Sequence, residues 1–336
     1  MVRRGMVRAL GAVPFPVIQR AAKNPLVLPL YHTVSDSPPA HVRHLYECKT
    51  LREFEEDLDF FLAHYAPLST DDLLDSLPGG IQEPSFLLSF DDGFREMHDA
   101  VAPLLLKKGV PAIFFLNPPV LDNRSMVHPN KISILIEAAE SGLSPGAEKE
   151  IEGRLGEAGA GGRSLRRRLK SVGYDRRGVL DEIAEILEVD FAEYLEKEKP
   201  YLSATQVGSL LSDGFSIGGH SLDHPHYGEI PLEDQLGQTR GSMRALGEMF
   251  PPGRPVFSFP FSDRGVSSEF FRQVLGGGEL EATFGTDGFY DDPEPRHLQR
   301  IWMEGRRIEE ARDKFVEAHA ARALRRLTAR NAVERN

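Results

Sequence analysis

Phe86-Leu87-Leu88-Ser89-Phe90-Asp91-Asp92-Gly93 is a run of strand length that stops on two adjacent carboxylates and a glycine. The run is continuous rather than alternating, the pattern of a strand buried on both faces of a parallel sheet. Carboxylates at its end would lie at the carboxyl edge of that sheet, where α/β folds build their active sites. One carboxylate can then bind a metal while its neighbour faces the reacting water. Asp-Asp-Gly taken alone also makes an ordinary surface turn, so the reading needs a second motif.

Similar runs recur on both sides of this one. Leu26 to Tyr31 and Ala112 to Leu116 read as strands, and so do Phe215 to Gly218, Val256 to Phe259, Ala282 to Phe284 and Leu298 to Met303. Helical periods lie between them. Leu51, Phe54, Leu58, Phe61 and Leu62 share one face of a helix over 51–63. Further helices are expected over 94–107, stopped by Gly109, and at about 203–212, 232–250 and 267–275. Strand–helix alternation of this kind means a parallel sheet, open or closed into a barrel.

The rhythm breaks between about 122 and 200. This stretch is charged, lacks strand patterns and contains the glycine-rich Gly156-Glu157-Ala158-Gly159-Ala160-Gly161-Gly162. Helical patterns flank it at 131–139, 164–172 and 179–187. It reads as a helical insertion in the α/β unit. Its basic residues Arg163, Arg166, Arg167, Arg168 and Lys170 form either an anion-binding face or a solvated one. From 306 to 336 a C-terminal helix is expected, with Ala311, Phe315, Ala318, Leu324 and Leu327 as its apolar stripe and a basic end at Arg322, Arg325, Arg326 and Arg330.

The second motif is His220-Ser221-Leu222-Asp223-His224, again directly after a strand pattern. Two imidazoles four residues apart, on a helical turn or a tight loop, can reach one metal. Ser221 can brace the loop through its backbone, and Asp223 can orient a ligand imidazole from behind. His226 is read as a neighbour or a surface residue. Two histidines and one aspartate leave an open position on a metal, and the spare aspartate is free to act as a base.

Composition narrows the partners. The chain has 336 residues and a formal net charge of -11, which argues against a general nucleic-acid binder. Its one cysteine, Cys48, excludes an intrachain disulfide. Residues 1–23 form a basic arm with Arg3, Arg4, Arg8, Arg20 and Lys23, broken by Pro14 and Pro16, and no run is apolar enough for a transmembrane helix. The expectation is a cytoplasmic protein, with peripheral contact at the inner membrane face through its basic N- and C-terminal segments.

Ser89-Phe90-Asp91-Asp92-Gly93 and His220-Ser221-Leu222-Asp223-His224, in this order and strand context, resemble the first two motifs of the polysaccharide deacetylase family, the NodB-homology domain of carbohydrate esterase family 4. Tyr31-His32 and Phe257-Ser258-Phe259-Pro260-Phe261 are also similar to family patterns. The resemblance spans about residues 24–305 apart from the insertion. It implies a distorted (β/α)7-type barrel and a hydrolase that removes the N-acetyl group from an amino sugar, free in a polymer or carried on a lipid or nucleotide. By motif position Asp91 would be the general base, and Asp92, His220 and His224 would hold the metal, usually zinc, with cobalt or nickel as alternatives. A metal-bound water would attack the amide carbonyl, and the backbone N–H of Phe261 would help to hold the oxyanion. Two departures follow. The family's third motif often opens on an arginine that pairs with the base, and Ser258 stands there instead. Arg300 is the candidate substitute, with a surface salt bridge as the other reading. The family's last motif supplies a histidine as general acid, and here only His297 and His32 offer themselves. A catalytically silent carbohydrate-binding module on the same fold, and an N-deformylase of a lipid-linked amino sugar, are the alternative functions.

Overall fold

The apolar runs become parallel strands because their side chains find cover on both faces. The computed structural model describes residues 13–156, 164–305, 309–328 and 331–335. Its strands are β1 (Leu26–Val27), β2 (Pro29–Tyr31), β3 (Ala66–Pro67), β4 (Ser85–Phe86), β5 (Leu88–Phe90), β6 (Ala112–Leu116), β7 (Ser216–Gly219), β8 (Val256–Ser258), β9 (Ala282–Gly285), β10 (His297–Gln299) and β11 (Ile301–Trp302). All five residues of β6 are buried. Phe90 stacks on Phe114 with ring centroids 5.2 Å apart, and Phe115 packs on Phe284 at 5.1 Å.

The main sheet has eight strands in the order β10-β9-β8-β7-β6-β5-β2-β11, all pairs parallel. Its two end strands are consecutive segments of one run, separated only by Arg300. The Arg300 N–H donates to Gly285 O on β9 at 3.1 Å, and the Ile301 and Met303 N–H groups donate to Leu28 O and Leu30 O on the β1–β2 run, each at 2.9 Å. One stave therefore bonds both edges, and the sheet closes into a distorted barrel of seven staves, the closure that removes exposed edges. β1, β4 and β3 form a small parallel sheet beside it.

Helices fill the connections where the periodicity places them. The helix Leu51–His64 starts from a capping box in which Thr50 and Glu53 each accept a backbone N–H, and Ala204–Ser212 starts from another built on Ser203 and Gln206. The helix expected from Phe94 begins later, as a wide π-helical turn at Met97–Val101 that runs into Ala102–Lys108. Pro103 lacks the N–H that a regular helix through this segment would use.

The stretch between β6 and β7 is helical. Helices His128–Ser141, Val179–Ile186 and the short Leu165–Leu169 match the expected patterns, and Pro145–Leu155 and Phe191–Glu198 were not anticipated. They share a separate apolar core of Ile132, Leu135, Ile136, Ile151, Leu155, Leu169, Val172, Leu180 and Ile183. Arg163 and residues 157–162 lie outside the described residues. Arg166 pairs with Glu140, and Arg168, buried, bonds Glu152 and the Gly156 carbonyl, so these two cations serve the insertion's own structure.

The C-terminal helix spans Ala311–Leu327 and packs on Phe15–Ala22 and Leu51–His64. Phe315 and Val316 carry its buried face, whereas Leu324 and Leu327, expected in the same stripe, are exposed. The buried face ends at Arg322, which turns inward to bond the Ala22 and Phe289 carbonyls and Asp291. Arg3, Arg4, Arg8, Arg306 and Arg330 lie outside the described residues. No helix among the described residues is long and apolar enough to cross a membrane.

Gly218 in β7 has no room for a side chain. A Cβ there would sit 2.6 Å from a Phe115 ring carbon and 2.8 Å from the Val256 carbonyl oxygen. The backbone atom cannot yield without breaking the barrel. Gly218→Ala is expected to cost about 1–3 kcal/mol, read as a lower urea midpoint at unchanged slope.

Candidate metal centre and active site

The ladder continues one residue beyond each of the two strands that end in a motif. Asp91 N–H donates to Tyr31 O at 3.0 Å after β5, and His220 N–H donates to Leu116 O at 2.9 Å after β7. Both side chains are thus delivered to the carboxyl mouth of the barrel. The backbone then turns sharply. Asp92 (φ 71°), Ser221 (φ 66°), His224 (φ 57°) and Phe261 (φ 56°) all lie in the left-handed region that non-glycine residues avoid. Ser221 Oγ accepts the His224 N–H at 3.0 Å and so braces a loop rather than a helical turn. Asn117, which the sequence did not single out, spans the same loop from the end of β6, its amide bonding the Ser221 carbonyl at 3.1 Å and the His220 carbonyl as well.

Three ligand atoms converge as a result. His220 Nε2 and His224 Nε2 lie 3.3 and 3.1 Å from Asp92 Oδ1. His220 Nδ1 donates to the Ser258 carbonyl at 2.9 Å, which turns its Nε2 toward the aspartate. Asp92 Oδ1 is buried and has no hydrogen-bond donor. Burial opposes its ionisation, but the facing imidazoles outweigh it and hold the carboxyl well below the usual range. An ionised oxygen and two ring nitrogens aimed at one point are a set that could hold a metal ion.

Asp91 is held differently. Arg300, fully buried, forks onto it with Nη1–Oδ1 at 2.7 Å and Nη2–Oδ2 at 2.8 Å. The guanidinium also reaches Ser258 Oγ, Ser89 Oγ and the Gly285 carbonyl. Burial raises the Asp91 pKa, and Arg300 together with His220 brings it below the ordinary value, so the carboxylate is ionised. Its Oδ2 lies 3.8 Å from His220 Nε2. Arg300 therefore lies beside the candidate base, and Ser258, where the family often has arginine, accepts a hydrogen bond from it.

The two acid candidates part company. His32 lines the cavity above the metal ligands, and its Nδ1 is 2.6 Å from Glu304 Oε2. Burial pulls its pKa down, but the Glu304 carboxylate outweighs this and pushes it up to about 9. Glu304 also accepts the His32 and Thr33 N–H groups and Trp302 Nε1. Sequence reading missed Glu304, although Glu304-Gly305 after a strand repeats the signature of Asp92-Gly93. His297 is not in this cavity. It sits among Phe259 and Phe271, with Nδ1 near Thr283 Oγ1 at 2.8 Å and Nε2 near Asp263 Oδ2 at 3.1 Å. Asp263, Asp292 and His297 could geometrically hold a second metal. The Arg335 guanidinium already bonds both carboxylates there.

Asp223 does not orient a ligand imidazole. It accepts from Tyr174 Oη and Gln238 Nε2, each at 3.0 Å, and so ties the metal loop to the insertion and to the helix Leu232–Met249. His226 stacks on Phe261, ring centroids 5.6 Å apart, and the Phe261 ring meets His224 edge-on at 4.6 Å. Asp91, Asp92, His224, His32 and Phe261 all line one cavity of about 560 Å³, and the insertion supplies part of its wall through His128, Ile132, Val172 and Tyr174.

Neither a family model nor a curated protein sequence matches the chain. Solved structures do match. The Streptococcus pyogenes deacetylase PplD in complex with acetate superposes with TM-score 0.52 at 13% identity, over 82% of this chain and 91% of that one. IcaB from Ammonifex degensii gives 0.53 at 15%, over 88% and 97%. BC0361, a polysaccharide deacetylase from Bacillus cereus, gives 0.50 at 12%, over 89% and 68%. The fold is that of the polysaccharide deacetylases. On a deacetylase fold, the two quoted motifs stand at the mouth of the barrel, and the arginine that pairs with Asp91 comes from the closing stave rather than from the run ending at Phe261.

Removing Arg300 would strand a buried carboxylate. Arg300→Leu is expected to destabilise the chain by about 3–5 kcal/mol in urea unfolding, with the loss greatest near neutral pH and smaller in acid, where Asp91 takes up a proton.

Proposed function

We propose that this chain is a metal-dependent carbohydrate N-deacetylase of the polysaccharide deacetylase family, removing the acetyl group from an acetylated amino sugar. The observation that carries this reading is the convergence of Asp92 Oδ1, His220 Nε2 and His224 Nε2 beside an arginine-paired, ionised Asp91 on the floor of one cavity. A binding module has no use for a base held in this way.

Asp92, His220 and His224 would hold the metal, zinc by the nitrogen and oxygen donor set, with cobalt or nickel as substitutes. When bound, the metal polarises the amide carbonyl and acidifies water. Asp91 takes the proton from the attacking water, and Arg300 keeps its carboxylate ionised and aimed. The Phe261 backbone N–H, on a left-handed residue at the cavity wall, is the candidate donor to the developing oxyanion. His32 is the better-placed general acid of the two. Glu304 orients its Nδ1 and raises its pKa, so that the ring is protonated at neutral pH and its Nε2–H can be given to the leaving amine.

The first test is metal content. About one zinc, cobalt or nickel per chain is expected for the wild type by plasma mass spectrometry, and none for His220→Ala. A wild type that takes up no metal from zinc-containing buffer would overturn the proposal. Asp91→Asn is expected to keep the metal and lose about 10²–10⁴-fold in acetate release.

The pH profile gives a second check. With Asp91 held below its ordinary value and His32 raised to about 9, kcat/KM should be flat through neutrality and fall as pH rises through the His32 pKa. Glu304→Gln removes the charge that raises His32 and leaves the burial that lowers it. The alkaline limb should therefore move to or below the ordinary imidazole value of about 6.5. A limb that stays in place would exclude His32 as the acid.

A further inference from the structure

The cavity has two kinds of wall that the hydrolytic residues do not explain. Besides Asp92 Oδ1 and the Nδ1 atoms of His224 and His226 around the proposed metal position, the lining residues Tyr46 and His128 carry two buried polar atoms, Oη and Nδ1, with no hydrogen-bond partner in the fold. Buried polar groups are otherwise almost always paired, so an orphan pair in one cavity marks where a ligand supplies the partners. The same cavity is also lined by apolar side chains, Leu45 and Trp302 from outside the insertion and Ile132 and Val172 from within it. Sugar hydroxyls pressed against that part of the wall would lose water without gaining a partner, at a cost for each. An apolar group there would gain by leaving water.

Resting on the deacetylase reading above, we propose that the substrate is an amphiphile: an acetylated amino sugar carrying an apolar group. Tyr46 and His128 bind the sugar, and Leu45, Ile132 and Val172 hold the apolar group beside it. The insertion is then half of the binding site. Its attachment agrees with that role, since Tyr174 bonds Asp223 in the metal loop and Asn130 and Ser133 bond the His41 and Ala40 carbonyls.

The chain has a single tryptophan, and Trp302 lines this cavity. Its fluorescence therefore reports binding without any turnover. The zinc-loaded protein is titrated with octyl and methyl N-acetyl-β-D-glucosaminide and with chitotetraose, and acetate release is measured on all three. The octyl glycoside is expected to bind at least tenfold more tightly than the methyl glycoside, and more tightly than the tetramer. In Val172→Asn and, from outside the insertion, Leu45→Asn, the octyl-to-methyl ratio should fall toward one, with metal content and an unchanged far-UV circular dichroism spectrum establishing that the barrel and the insertion are both folded. Equal binding of the two glycosides by the wild type, preference for the tetramer, or a ratio that survives both variants would overturn the proposal. Tight octyl binding with no acetate released from any of the three would instead overturn the deacetylase reading and leave the amphiphile site standing.

Discussion

The pairing of Arg300 with Asp91 is the constraint on which the site and the barrel both depend. Arg300 is the residue between β10 and β11, so its backbone belongs to the stave that joins the two edges of the sheet. Its side chain turns into the barrel and meets the carboxylate that ends β5. Burying either charge alone would be prohibitive, and burying both is tolerable only because the fork geometry and two serine hydroxyls satisfy the guanidinium. Closing the barrel and pairing the Asp91 carboxylate are therefore one event. If the last stave does not dock, Asp91 has no partner and the sheet keeps two open edges.

The two adjacent aspartates then diverge through their surroundings. Asp91 is paired by an arginine that takes one bond on each oxygen and leaves lone pairs free for a further donor. Asp92 keeps one buried oxygen without a donor, aimed at two imidazoles. Successive strand residues point to opposite faces, and the left-handed turn at Asp92 is what brings both carboxyls to the same mouth. Such backbone costs about 1–3 kcal/mol per residue and persists only where its surroundings impose it. Four of these turns, at Asp92, Ser221, His224 and Phe261, surround the proposed metal position. The strain lies where the chemistry needs side chains that a regular strand could not present.

The strands were legible because burial on both faces leaves an uninterrupted apolar run, and the motif residues because each follows such a run directly. Arg300 could be named from its place beside the last strand, and its pairing with Asp91 from the resemblance, yet the forked geometry followed only from the closure. What stayed hidden depends on the third dimension. Glu304 acts on His32, 272 residues away in sequence, and Asn117 on a loop 103 residues away. His297 sits near its Leu in the late region, as a motif search would want. Parity on β10 turns it outward against Phe271, whereas Arg300 turns inward. The helices of the insertion were partly readable from period alone, but their position over the cavity was not, because nothing local records which loop they cover.

The outward cluster explains why the C-terminal end of the chain belongs to the same unit. Asp263 follows Phe261 by two residues. It accepts from Gln299 and Arg335, lies against His297, and approaches the Thr286 N–H at 3.3 Å, while Thr286 Oγ1 bonds the Phe261 carbonyl at 2.8 Å. The left-handed peptide at Phe261 is thus held from both sides, by the late strands and by Arg335. Burial raises the Asp263 pKa, and its bonds to His297 and Arg335 more than reverse this, so the hub is an ionised carboxylate with every oxygen engaged. A second metal there would have to displace a guanidinium. Of the three carboxylates, Asp91 and Asp92 after β5 and Asp263 after β8, two are given an arginine, and Asp92 alone faces two histidines. That asymmetry is what leaves Asp92 able to take part in the proposed metal site.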